Sequence, residues 1–157
     1  MKKLFLIINL LIIIFIPSVT FGNVIDKLNE VGKFTKLNET LVKSGLDKDL
    51  KSNGPFTVFA PLDDAFAAIS AKTYYGLLNE DNKDKLIKIL GRHVFSKKIT
   101  SSEINSEINL KAINGEEIKI KKVNGIVYIN EAEVVTADVE VSNGVIHFIN
   151  RVLQPLN

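Results

Sequence analysis

Residues 117–129 read Glu-Ile-Lys-Ile-Lys-Lys-Val-Asn-Gly-Ile-Val-Tyr-Ile. Apolar and polar residues alternate from Glu117 to Lys121, Asn124-Gly125 is a dipeptide that accepts the positive φ angles of a two-residue hairpin turn, and an apolar run returns from it. A two-residue turn there sets the register. With Val123 facing Ile126, Ile120 faces Ile129 and Lys121 faces Tyr128. Ile118, Ile120, Val127 and Ile129 then share one face, and Lys119, Lys121, Tyr128 and Asn130 share the other. One face is core and one is wet. Asn114-Gly115 does not fit such a turn, because two residues there would set Leu110 and Ala112 on the face of Glu117 and Lys119. That connection needs a bulge or a loop of another length.

Outward from this hairpin the chain divides in two. Toward the C-terminus, Asn143-Gly144 leads into Val145-Ile146-His147-Phe148-Ile149, an apolar run suited to a strand covered on both faces. Toward the N-terminus the period is helical, in short pieces separated by Gly32 and Gly45: Val24, Ile25, Leu28 and Val31, then Phe34, Leu37 and Leu41, then Leu46 and Leu50. The turn Ser52-Asn53-Gly54-Pro55 precedes a short strand, Phe56-Thr57-Val58-Phe59-Ala60, stopped by Pro61, which has no N–H for a ladder. Leu62, Phe66 and Ile69 read as one helix behind Asp63 and Asp64, and Leu86, Ile87 and Leu90 as another. Helices first and strands later predict an α+β domain.

Composition narrows the chemistry. The chain has 157 residues, 46% hydrophobic, with 20 Lys plus Arg against 18 Asp plus Glu. That balance does not fit a protein that neutralises many phosphates, so nucleic acid is not expected as a partner. Without cysteine there is no disulfide, thiolate metal site or cysteine nucleophile, and two histidines do not make a histidine cage. Lys2 and Lys3 precede an apolar run from Leu4 to Ile16, too short for the ~20 residues of a membrane span. With Thr20 and Gly22 as small residues, residues 1–22 read as a signal peptide cut after Gly22, and residues 23–157 as one domain. The other reading of this segment is an uncleaved anchor. Removal of Lys2 and Lys3 leaves the remainder formally neutral. The expected location is secreted or periplasmic, in the cell envelope.

Two segments resemble a known family. Gly54 to Phe66, with Thr57, Phe59, Pro61, Asp63 and Phe66, is similar to the first motif of fasciclin-type (FAS1) domains. Asn143 to Pro155, with Asn143, Gly144 and His147, is similar to the second, and Arg92-His93-Val94-Phe95 resembles the family's Tyr-His element between them. The resemblance implies a β-wedge of two sheets with an N-terminal helical cluster, usually found on secreted or membrane-attached proteins that bind other proteins or surfaces. Where the family usually has Thr, this sequence has Leu62, so Asp63 is expected to cap the following helix. Integrin-binding animal relatives carry Tyr-His where Arg92-His93 stands, which weakens a transfer of integrin recognition and leaves Arg92 as an interface anchor of its own.

The leading functional expectation is thus a non-catalytic adhesion-type module, binding a protein or a cell-surface or matrix partner, without cofactor or metal, with Arg92 and His93 as partner-binding residues. Thr57, Phe59, Pro61, Asp63, Phe66, Asn143, Gly144 and His147 are expected to be structural. The alternative is a carrier whose wedge pocket holds a lipid, pigment or tetrapyrrole, with His93 or His147 as a polar or axial contact. A Ser-His-Asp assembly of Ser142, His147 and Asp138 lacks a nucleophile elbow to set it up.

Overall fold

The computed structural model describes residues 21–154; the expected leader, residues 1–22, lies outside the described residues except for its last two. Among the described residues no helix is long and apolar enough to cross a membrane. Helix α1 (Val24–Val31) opens with a reciprocal cap: Asn23 Oδ1 accepts from the Asp26 N–H at 3.1 Å, and the Asn23 N–H donates to the Asp26 carboxylate at 3.0 Å. Helices α2 (Thr35–Ser44) and α3 (Leu46–Asp49) follow, then α4 (Ala71–Leu77) and α5 (Lys83–Gly91). They bury Val24, Leu28, Phe34, Leu37, Leu41, Leu86 and Leu90 against one face of the sheet.

The strands are β1 (Phe56–Pro61), β2 (Val94–Phe95), β3 (Ile108–Lys111), β4 (Glu117–Val123), β5 (Ile126–Ile129), β6 (Ala132–Val141) and β7 (Gly144–Ile149), in the order β2-β1-β7-β6-β5-β4-β3. The expected α+β class holds. The two expected sheets are joined through β6, which pairs with β5 at its start and with β7 further on. Register shifts between Val134 and Thr136 and between Thr136 and Val139 mark irregularities of the kind that bend a strand. Beyond β3, the Ile113 N–H donates to the Val94 carbonyl at 2.9 Å, so the ends of the strand order meet and the sheet approaches a barrel.

β1 and β7 run parallel, from Phe56 opposite Gly144 to Pro61 opposite Ile149. Successive side chains of a strand point to opposite faces. Val58, Ala60 and Ile146 therefore join the helical core, while Phe59 and Ile149 join a second core inside the barrel with Phe95, Ile104, Ile118, Ile120 and Ile129. The hairpin at Asn124-Gly125 pairs Val123 with Ile126, Lys121 with Tyr128 and Ile120 with Ile129, the register read from the sequence. The connection at Asn114-Gly115 is the longer loop 112–116, in which the Ala112 N–H donates to the Glu116 carbonyl at 2.9 Å.

One helix differs from its expectation. Leu62 to Ile69 is not an α-helix but a 3-10 helix, Asp63–Ala68, after which Ser70 caps a new helix through the Thr73 N–H at 3.1 Å. Nor does Asp63 cap its own helix, which has no side-chain cap. Its carboxylate accepts from the Thr35 and Lys36 N–H groups at 3.2 and 2.8 Å, capping α2, whose own N-cap position is Phe34 and supplies no side-chain acceptor.

Asn143 makes the corresponding long-range join at the other motif. Its Oδ1 accepts from the Val24 N–H at 3.0 Å, capping α1. Its Nδ2 donates to the Leu50 and Ser52 carbonyls at 2.7 and 2.8 Å, and its own carbonyl accepts from the Phe56 N–H at 2.8 Å. Gly144 follows at φ 158°, where a Cβ would collide with the Phe56 backbone. Removing the Asn143 side chain takes away a cap and strips two carbonyls of a donor, so Asn143→Ala should cost about 2–4 kcal/mol. Urea denaturation should show a lower midpoint at an unchanged slope; an unchanged midpoint would show that these bonds do not hold the motifs together.

Candidate functional site

Helix α5 runs directly into β2 at Arg92 and His93. His93 is 2% exposed. The Leu153 N–H donates to its Nε2 at 3.0 Å, which fixes Nε2 as the acceptor and places the ring proton on Nδ1, 3.0 Å from the Ile89 carbonyl. The His93 backbone carbonyl accepts from the Phe59 N–H at 2.8 Å. One residue thus ties α5, β1 and the segment after β7. Burial first, with the neighbouring Arg92 charge adding to it, lowers the imidazole from its ordinary 6.5 to about 4.

Arg92, expected as an exposed anchor, is 6% exposed. Its guanidinium pairs with Glu116 and donates to the Gln154 carbonyl, while Nε has no partner. Neither residue of the expected partner-binding pair offers its side chain as surface. Loss of the Arg92 guanidinium would leave Glu116 and a chain carbonyl unpaired, so Arg92 is not dispensable to the fold as an exposed contact residue would be.

His147 lies 1% exposed on β7, stacked on Phe59 with ring centroids 4.9 Å apart. The Asp138 backbone N–H donates to its Nδ1 at 3.1 Å, so Nε2 carries the proton and donates to the Ile99 carbonyl at 2.7 Å. Burial lowers this imidazole too. Thr57, on β1, serves the same loop: its hydroxyl donates to the Lys97 carbonyl at 2.5 Å and accepts from the Ile99 N–H at 2.8 Å. The Asp138 carboxylate accepts from the Ser101 N–H at 2.8 Å and from the Ser101 hydroxyl. Burial pushes the Asp138 carboxyl up, but the Ser101 bonds outweigh it and the net direction is down.

Ser142, His147 and Asp138 therefore do not assemble as a triad. The His147 ring meets the Asp138 backbone rather than its carboxylate, and a histidine with both nitrogens engaged by the main chain has no lone pair to act as a base. The same engagement leaves no ring nitrogen of His93 or His147 for an axial bond to a tetrapyrrole metal. Among the described residues no group of three or more His, Asp or Glu could hold a metal ion.

Of the expected motif residues, Thr57, Phe59 and His147 come together around the loop that holds Ile99. Asp63 and Asn143 cap separate helices, and Pro61 and Phe66 line an apolar cleft between the helices and the end of the sheet. Sequence reasoning missed the Ser101 partner of Asp138, the Glu116 partner of Arg92, and Glu39, which accepts from the Tyr74 hydroxyl at 2.6 Å. Each pair is distant in sequence, and no local pattern marks it.

An α+β domain in which two parallel strands are sealed on both faces, with polar motif residues bonded to main chain, defines a fold of fasciclin type. The family model described as Fasciclin domain matches residues 32–155, and the chain belongs to that family. It is similar to Protein sll1483 of Synechocystis sp., at 45% identity over 78% of this chain and 67% of that protein. It is also similar to transforming growth factor-beta-induced protein ig-h3 of Sus scrofa, at 34% identity over 85% of this chain but only 19% of that protein. The chain thus spans a small part of the second relative's length. The fold is similar to that of a FAS1 domain pair from the insect cell adhesion molecule Fasciclin I, with a TM-score of 0.75 at 21% identity over 87% of this chain and 52% of that one.

The depressed basicity of His93 makes stability depend on pH. Above pH 6.5 the ring is neutral in both folded and unfolded chains. As pH falls from 6.5 toward 4 the unfolded chain takes up a proton that the folded one refuses, so stability is lost over that window. The loss should be on the order of 3 kcal/mol between pH 7 and pH 4. His147 acts in the same direction. Unfolding free energies by denaturant at pH 7, 5.5 and 4.5 should fall less steeply in His93→Gln than in the parent, and equal slopes would show that His93 is not held neutral.

Proposed function

We propose that this chain is a non-catalytic interaction module of adhesion type, acting outside the cytoplasm and binding a protein or cell-surface or matrix partner. The observation that carries the reading is that its histidines, Thr57 and Asp138 are all spent on holding main chain. What the domain turns outward is surface rather than a reaction centre. Membership of the fasciclin family and the likeness of its fold to an insect cell adhesion molecule support it.

With Arg92 and His93 buried, the contact falls to exposed side chains. Val123, Ile126 and Val135 are 45, 39 and 46% exposed around the tip of the β4–β5 hairpin. On the same face Tyr128 lies opposite Lys121 on one side and Glu133 on the other, giving apolar contact area with a charged rim. Beads coated with the domain should attach saturably to the envelope surface of the producing cell and be displaced by soluble domain. A Val123→Lys, Ile126→Glu double variant, which sets opposite charges on two directly paired positions, should fold with little change in melting temperature and attach at least about tenfold less, the effect of losing a small hot spot. Absence of saturable attachment by the parent would sink the adhesion reading, and full attachment by the double variant would move the contact off this hairpin.

Export is part of the same proposal. The Asn23 N–H already donates to the Asp26 carboxylate at 3.0 Å. A cut after Gly22 would turn that N–H into an ammonium paired with a carboxylate, which offsets the cost of a positive charge at a helix N-terminus. Intact-mass measurement of the exported protein should give a chain beginning at Asn23; a full-length mass in the membrane fraction would make residues 1–22 an anchor instead.

A further inference from the structure

A cleft of about 230 Å³ opens between α2, α4, α5, the 3-10 helix and the segment after β7. Its floor includes Phe66 and Leu90, both buried, and Ile69, Leu77, Ile89 and Val152, all only partly buried, line it. Four adjoining aliphatic side chains are thus left in partial contact with water inside a concave surface, where burial by a ligand would be favourable.

Apart from the Lys85 ammonium and the exposed Gln154 amide, the polar groups of the lining are occupied by the protein itself. The Thr40 hydroxyl donates to the Leu37 carbonyl at 2.7 Å, and the Thr73 hydroxyl lies 2.9 Å from that of Ser70. The Tyr74 hydroxyl donates to Glu39, and both nitrogens of His93 are bonded to main chain. Lys85 is the one charged residue of the lining, and no carboxylate among the described residues lies within ion-pair distance of it. A ligand suited to this site has an apolar body and a single anionic end. The volume is below the ~300–1,000 Å³ of sites for drug-sized molecules. That excludes a long acyl chain, a polyene pigment or a tetrapyrrole as a fully enclosed guest.

We infer that the cleft binds a small aliphatic carboxylate, its chain against Ile69, Leu77, Ile89 and Val152 and its carboxylate on Lys85. The inference is independent of the adhesion reading, because the hairpin patch and the cleft are built from different elements, and either can fail alone.

Octanoate, octanol and octylammonium are the probes, titrated calorimetrically into the chain beginning at Asn23. Octanoate should bind with a stoichiometry of one and raise the melting temperature as its concentration rises, with octanol weaker and octylammonium weakest. Lys85→Ala should lower octanoate affinity about two- to fivefold, the size of an exposed charge contact, and leave octanol unchanged. Leu77→Trp, which fills the cleft, should abolish binding of all three; melts without ligand establish that it is folded, and Ile69→Phe replaces it if it is not. Failure of octanoate to saturate, binding of octylammonium as tight as that of octanoate, or binding that survives a folded cleft-filling variant would each overturn the proposal.

Discussion

β1 and β7 lie parallel in the sheet with both faces covered, and the other elements are placed by what these two strands must bury. Parallel neighbours cannot be joined by a tight turn, so the chain has to leave β1 and return much later. The helices of the first half cover one face through Val58, Ala60 and Ile146. The meander β3 to β6 curls round to cover the other through Phe59 and Ile149. The two recognisable motifs are the two strands of this pair with their flanking turns, which is why they stand far apart in sequence and in contact in space.

Legibility in the sequence followed the range of the interaction. The β4–β5 register was readable because Asn124-Gly125 and the alternation of Ile118 and Ile120 with Lys119 and Lys121 act within a dozen residues. The covered character of β7 was readable from its unbroken apolar run. Asp63 was misplaced because an acidic residue before a helical pattern reads as a cap for that helix, whereas here it caps one 27 residues earlier. The α-helix expected from Leu62, Phe66 and Ile69 failed because the chain winds as a 3-10 helix over Asp63–Ala68 and turns extended at Ile69, where Ser70 starts a new helix.

The site was less legible than the fold for a related reason. Arg92 looks like a surface residue by type, and only the fold brings Glu116 and the Gln154 carbonyl to it. His93 and His147 are both buried, and their tautomers are dictated by the N–H groups of Leu153 and Asp138, which no pattern near either histidine announces. Asn143 read as a turn residue, yet its side chain joins α1 to the turn after α3, and its backbone carbonyl takes the first N–H of β1. Polar groups of the kinds that build reaction centres are here distributed one by one to unpaired main-chain groups, each where a helix or loop would otherwise end unsatisfied.

The parallel pair also sets how the domain carries tension. Asn143 fastens the start of α1 beside the first residue of β7, and the chain leaves at the far end of the same strand after Ile149. The start of α1 and the end of β7 are thus separated by one strand of six residues, about 20 Å. A pull between them runs along β7, so its hydrogen bonds to β1 on one side and β6 on the other are sheared together rather than peeled open in turn. Rupture then requires many bonds to break at once, a mechanical resistance that an antiparallel hairpin pulled from its open end does not have.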